Sequence, residues 1–215
     1  MRPASLSWNV AAIKQDGPSK RRRDTKRAEL AESSTRWRGG SLLVGVTASD
    51  LGILIVRLVI GLTFAAHGAQ KVFGWWGGPG FAGWTAGIVR MGLRPAPLWA
   101  AISAGVELVG GGLLALGLLT PIASALLVAQ SIYIIVRAHW SRGFWNRGGG
   151  IEFPLQILAG SLLVVATGAG AIAIDSALSI DFGSWWRVGF LAAALVGALI
   201  AMAIARPLPQ PPASR

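Results

Sequence analysis

The chain has 215 residues, 20 Lys and Arg against 9 Asp and Glu, a net charge of +11 and no cysteine. Only 13% of residues are charged and mean hydropathy is +0.56, whereas roughly a quarter of a soluble protein is charged. The lack of cysteine excludes disulfides, thiol redox chemistry, Cys-ligated iron–sulfur clusters and covalent haem, so any redox role needs a bound cofactor or a partner subunit.

Residues 1–48 are read as a basic, disordered N-terminal tail. They hold half of the Lys and Arg, including Lys20-Arg21-Arg22-Arg23 and Lys26-Arg27, among Pro, Ser and Glu. Only Trp8 and Trp37 interrupt them, which fits a solvated segment beside anionic lipid headgroups and not a nucleic-acid surface. No apolar stretch follows the basic residues before Ser41, so the tail is not read as a secretory signal.

Five apolar segments follow, at about 51–73, 97–119, 122–139, 151–172 and 187–206, each near the ~20 residues that cross a bilayer. Asp50 is the expected N-cap of the first. Gly74-Trp75-Trp76-Gly77-Gly78-Pro79-Gly80 ends it, 81–91 reads as a short interfacial helix, and Pro95 and Pro97 open the second span. Thr120-Pro121 reads as a tight turn between two antiparallel spans, and Pro154 fits the first turn of the fourth. Trp75, Trp76, Trp140, Trp145, Trp185 and Trp186 lie near span ends, as in an interfacial aromatic belt. In the fifth span Gly189, Ala193, Gly197, Ala201 and Ala205 form a small-residue stripe, suited to internal packing or to a homodimer. The links at 74–96 and 140–150 carry Arg90, Arg94, Arg142 and Arg147, which opposes the basic tail in orienting the chain. With Arg36 and Arg38 close to the first span, the N-terminus is expected on the cytoplasmic side.

Alternating span directions bring His67, Lys71, Arg137, His139 and Glu152 to one membrane face. Arg57, His67 and Lys71 share an arc of about 80° on the first helix, and Glu107 lies about 15 Å inside the second. Glu107 can reach His67 or Arg57. One reading has Arg57 and Glu107 neutralise each other and fix helix register. The other is a polar cavity in which His67, Glu107 and Glu152 exchange protons while Arg57, Lys71 and Arg137 bind an anion or a quinone oxygen. Buried ionisable groups in a membrane usually face a bundle interior or a wet cavity. Their number exceeds what register requires, which favours the cavity. Two histidines without H-x-x-x-H or Glu-x-x-His spacing make a metal or haem site unexpected.

Several linked motifs carry a family resemblance. They are Arg57-Leu58, Gly61-Leu62-Thr63-Phe64, His67-Gly68, Lys71 and Gly74-Trp75, then Gly77-Gly78-Pro79-Gly80 and Glu107-Leu108-Val109-Gly110-Gly111. The last are Phe144-Trp145 and Gly148-Gly149-Gly150-Ile151-Glu152-Phe153-Pro154-Leu155. Over about residues 50–172 the chain resembles the DoxX/DoxD family of small bacterial integral membrane proteins. The resemblance implies an all-α, four-helix transmembrane core over 49–172. The interfacial link and fifth transmembrane helix (173–206), the short C-terminal tail (207–215) and the basic N-terminal tail depart from it.

Family members are associated with quinone-linked oxidation of reduced sulfur compounds or with oxidant-detoxifying membrane assemblies, the DoxD type with a small partner subunit. The resemblance therefore implies a multi-pass protein of the bacterial inner membrane, a subunit of a quinone-linked oxidoreductase with a partner redox subunit. The alternative is a non-enzymatic scaffold that recruits a soluble redox enzyme through the tail. A transporter would need openings to both faces, against which the short 120–121 turn argues.

Overall fold

The computed structural model describes residues 45–205. The tails expected over 1–48 and 207–215 lie outside them, except for residues 45–48. The described chain is α-helical throughout, with short 3-10 and π turns and no strand among the described residues.

Helix α1 is Ala48–Phe73. Its N-cap is Thr47 and not Asp50, which instead occupies the third helical position and closes a capping box. The Asp50 N–H donates to Thr47 Oγ1 at 3.2 Å and the Thr47 N–H to Asp50 Oδ2 at 2.9 Å. A hydroxyl one turn before a carboxylate satisfies two otherwise orphaned amides reciprocally, which is why the cap falls three residues earlier than expected. Gly74, at φ 73°, ends the helix in the left-handed conformation. A short helix α2, Gly80–Arg90, follows.

Helix α3 spans Ala96–Leu116 and includes a π-helical turn at Val106–Gly110. Helix α4 spans Thr120–Arg142 with a second π turn at Ile135–His139. Thr120 and Pro121, expected as the turn, are already helical, and the reversal falls at Gly117 and Leu119, both at positive φ. Helix α5, Glu152–Thr167, is shorter than the expected 151–172 because Gly168 and Gly170 turn the chain at positive φ. A single turn, α6 (Ile174–Ala177), precedes α7, Ser184–Ile204. Helices α1, α3, α4 and α7 are long and apolar enough to cross a membrane, and α5 is a shorter apolar helix.

The helices alternate in direction, so the start of α1 defines a near face and its end a far face. Ile60, Phe64, Leu114, Leu127, Ile157 and Val164 of α1, α3, α4 and α5 form the main buried cluster. Leu51, Ile55, Val59 and Leu62 of α1 and Val188, Val196 and Leu199 of α7 are exposed, an outward apolar surface that suits lipid. Trp76, Trp140 and Trp145 at the far face and Trp185 and Trp186 at the near face are also exposed, as the aromatic belt requires.

Two backbones meet almost directly where α1 crosses α3. A Cβ on Gly68 would lie 2.3 Å from the Leu108 amide nitrogen, and one on Gly111 would lie 2.5 Å from that of Ala65. Without hydrophobic drive between helices in lipid, such small-residue contact allows close packing. It also sets Lys71 beside Glu107.

Candidate functional site

A cavity of about 830 Å³ lies among α1, α2, α3, α4, α5 and α7. Most of its wall is aliphatic and aromatic, and its polar groups gather towards the far face. There His67 and Lys71 come from α1, Trp84 from α2, Ser103 and Glu107 from α3, and Gln130, Tyr133 and Arg137 from α4.

Glu107 is 1% exposed. Its Oε1 accepts from Lys71 Nζ in an ion pair and from Gln130 Nε2 at 3.1 Å. Gln130 Nε2 also donates to Ser103 Oγ at 2.9 Å. Lys71 Nζ lies 4.0 Å from the centroid of the Trp84 ring, a cation–π contact strengthened by burial. A lysine held between a carboxylate and an indole face is well compensated. The carboxylate is less so, because Glu107 Oε2 has no hydrogen-bond partner. Trp84 Nε1 and Tyr133 Oη are likewise buried without partners. Buried polar atoms are ordinarily bonded, and these three, like Arg57 Nε, Thr120 Oγ1 and Ser161 Oγ elsewhere among the described residues, are exceptions.

Both π turns fall at this end of the cavity, and they carry Glu107 and Arg137. A π turn inserts one residue into the helical repeat and is found frequently at functional sites. Arg137 Nη2 donates to the Met91 carbonyl at 3.3 Å, and no carboxylate pairs with it among the described residues.

Four of the six residues singled out from the sequence therefore line one cavity: His67, Lys71, Glu107 and Arg137. His67 lies on the wall with Nδ1 3.3 Å from Gln70 Oε1 and its ring edge-on to Phe153. The other two serve elsewhere. Glu152 accepts from the Asn146 backbone N–H at 2.9 Å and pins the 143–152 loop, so it lies off the cavity wall. Arg57 sits too close to the near face to meet Glu107. It is 1% exposed and donates to the carbonyls of Ala169, Ala115 and Ile172, the last at 2.8 Å. Asp175, 2% exposed, complements it by accepting from the Leu119 and Thr120 amides at 2.7 and 2.8 Å. A cation on carbonyls of the last turn of α3 and of the loop after α5, and an anion on the first amides of α4, satisfy orphaned backbone groups and oppose the helix dipoles. The expected Arg57–Glu107 pair is thus replaced by Lys71–Glu107 in the cavity and by Arg57 and Asp175 at the near face.

His139 also lines the cavity, and its Nδ1 donates to the Gly149 carbonyl at 2.6 Å. Among the described residues no three His, Asp or Glu side chains gather as a metal site needs. The sequence reading missed Gln130, Tyr133 and Trp84. Gln130 carried a signal, as a lone amide in the apolar run 122–136. Of the α7 stripe, Ala193, Gly197 and Ala201 line the cavity; Gly189, Ala193 and Gly197 are exposed, and Ala201 and Ala205 are buried.

Residues 52–140 match the family model DoxX. The Bacillus subtilis protein named "Putative oxidoreductase CatD" is 30% identical over 127 residues, covering 59% of this chain and 86% of CatD. An uncharacterized membrane protein of Mycobacterium tuberculosis is 29% identical over 138 residues, covering 59% of this chain and 81% of the relative. No solved structure matches the chain significantly. With its matched span lying over α1 to α4, where the Lys71–Glu107 pair is built, this multi-pass membrane protein belongs to the DoxX family.

Proposed function

We propose that the chain is the membrane subunit of a quinone-linked oxidoreductase of the inner membrane, and that the far-face end of the cavity binds the quinone head. The observation that carries the reading is the buried Lys71–Glu107 pair with its orphaned Glu107 Oε2, set in an apolar cavity of a drug-sized ligand's dimensions. The name of the B. subtilis relative supports the redox class. Reduction of a quinone consumes two electrons and two protons. The electrons come from a small reductant of the reduced-sulfur class through a partner subunit.

The chain's own residues handle orientation and protons. Lys71 and Arg137 place positive charge where oxygen gains electron density, an effect amplified in a low-dielectric site. Glu107 exchanges a proton at Oε2, while Gln130 and Lys71 hold Oε1 in place. His67, on the cavity wall beside Gln70, passes protons outward.

The test is a saturation titration of purified protein in detergent with a lipid-soluble quinone, for wild type and Glu107→Gln. The expected result is saturable binding that weakens at least tenfold in the variant, with unchanged gel-filtration behaviour. Absence of saturable binding to wild type would refute the reading.

A further inference from the structure

The polar end occupies only part of the cavity. From Arg137 the wall continues along α4 through Ile134 and Leu126 to Ile122. The 15 helical steps from Ile122 to Arg137 make a trough about 22 Å long at ~1.5 Å per residue. Helix α7 packs directly against α4 and adds Phe190, Ala193, Gly197 and Ala201 to the same wall.

Gly197 is the informative residue. A Cβ there would meet nothing within 4 Å, in contrast to Gly61, Gly68 and Gly111 at the α1–α3 crossing. Helix-to-helix packing therefore does not require it, and glycine costs a helix about 1 kcal/mol relative to alanine. Gly197 is exposed and lines the cavity, so what the missing side chain leaves is open space along that wall. The stripe alone would show nothing, but it borders the same cavity as the buried, half-satisfied Glu107.

We propose that the cavity takes a single-tailed amphiphile, its oxygen-bearing head at Lys71, Glu107 and Arg137 and its long apolar tail in the trough that runs along α4 and α7, with Gly197 setting how much tail fits. The inference rests on the quinone reading for the head and adds an isoprenoid-type tail and the helix that selects it. A tail already dissolved in lipid gains little hydrophobic free energy on entering an apolar trough, because lipid is as apolar as the wall. Selection there is by shape, and a bulky side chain at Gly197 excludes the tail without touching the head site.

The experiment compares menadione, a naphthoquinone without a tail, with menaquinone-4, which adds four isoprene units. Binding to the full chain in nanodiscs is measured against empty discs. Gly197→Phe is expected to weaken menaquinone-4 at least tenfold and to change menadione less than twofold. Ala194→Leu, on the same wall, provides a second narrowing variant should Gly197→Phe fail to insert. Unchanged menaquinone-4 binding in an inserted variant overturns the tail channel and leaves the head site standing. Equal weakening of both compounds also overturns it, since that signals a collapsed cavity. Failure of both compounds to bind wild type overturns the head site and the tail channel together.

Discussion

Replacing Lys71 with Met removes the cation from a carboxylate that is 1% exposed. The lysine side chain is 14% exposed and the glutamate side chain 2%, so solvent screens the pair little. Removing one partner of a buried pair costs about 3–5 kcal/mol, because the remaining charge is uncompensated. The Gln130 bond to Oε1 persists, so the lower end, about 3 kcal/mol, is expected. Adding Glu107→Gln removes the stranded charge, and the double variant should recover about 2 kcal/mol of the loss. Equilibrium unfolding in mixed micelles, read for wild type, both single variants and the double variant, gives the coupling energy directly. Coupling below about 0.5 kcal/mol, with the double variant no more stable than Lys71→Met, would refute a compensated pair at this position.

Other variants separate framework from site. Gly68→Ala puts a methyl group 2.3 Å from the Leu108 amide nitrogen and should cost at least the ~1–3 kcal/mol of an overpacked core, seen as lost monodispersity or a lower melting temperature. Arg57→Met strands buried carbonyls and should lower stability by about 2–3 kcal/mol, while quinone binding in the surviving folded fraction stays within twofold of wild type. Thr47→Ala removes the α1 cap and should cost only about 1 kcal/mol. The chain contains no cysteine, so single cysteines report orientation cleanly. With the N-terminus inside, Ser141→Cys should react with a membrane-impermeant maleimide added to intact cells, and Ser184→Cys should not.

Hydropathy located the spans because lipid imposes one requirement on every residue of a crossing helix, and α1 and α3 fell within about three residues of expectation. Caps and breaks were less legible. The three-residue shift from Asp50 to Thr47 and the early stop of α5 at Gly168 depend on local backbone geometry that apolar counting does not see. In the site, alternating span directions were enough to bring His67, Lys71 and Arg137 to one end. Pairing was not legible, because it depends on axial depth and rotation at the α1–α3 crossing. Gly61, Gly68 and Gly111 set that crossing, placing Arg57 against the 115–117 turn and Lys71 against Glu107. Glu152 was assigned to the site by its membrane face, but its partner is a loop amide six residues earlier. Which residues of the α7 stripe line the cavity depends on where α7 docks against α4, which the five-residue pattern alone leaves open.

The central claim is that the Lys71–Glu107 end of the cavity holds a quinone head. The most direct measurement is photocrosslinking with a quinone carrying a photoreactive group on its ring, followed by peptide mapping. Labels are expected on the stretches around His67–Lys71, Ser103–Glu107 and Gln130–Arg137, suppressed by excess unlabelled quinone. Labels confined to the lipid-facing residues of α1 and α7, or labels that excess quinone leaves unchanged, would contradict it.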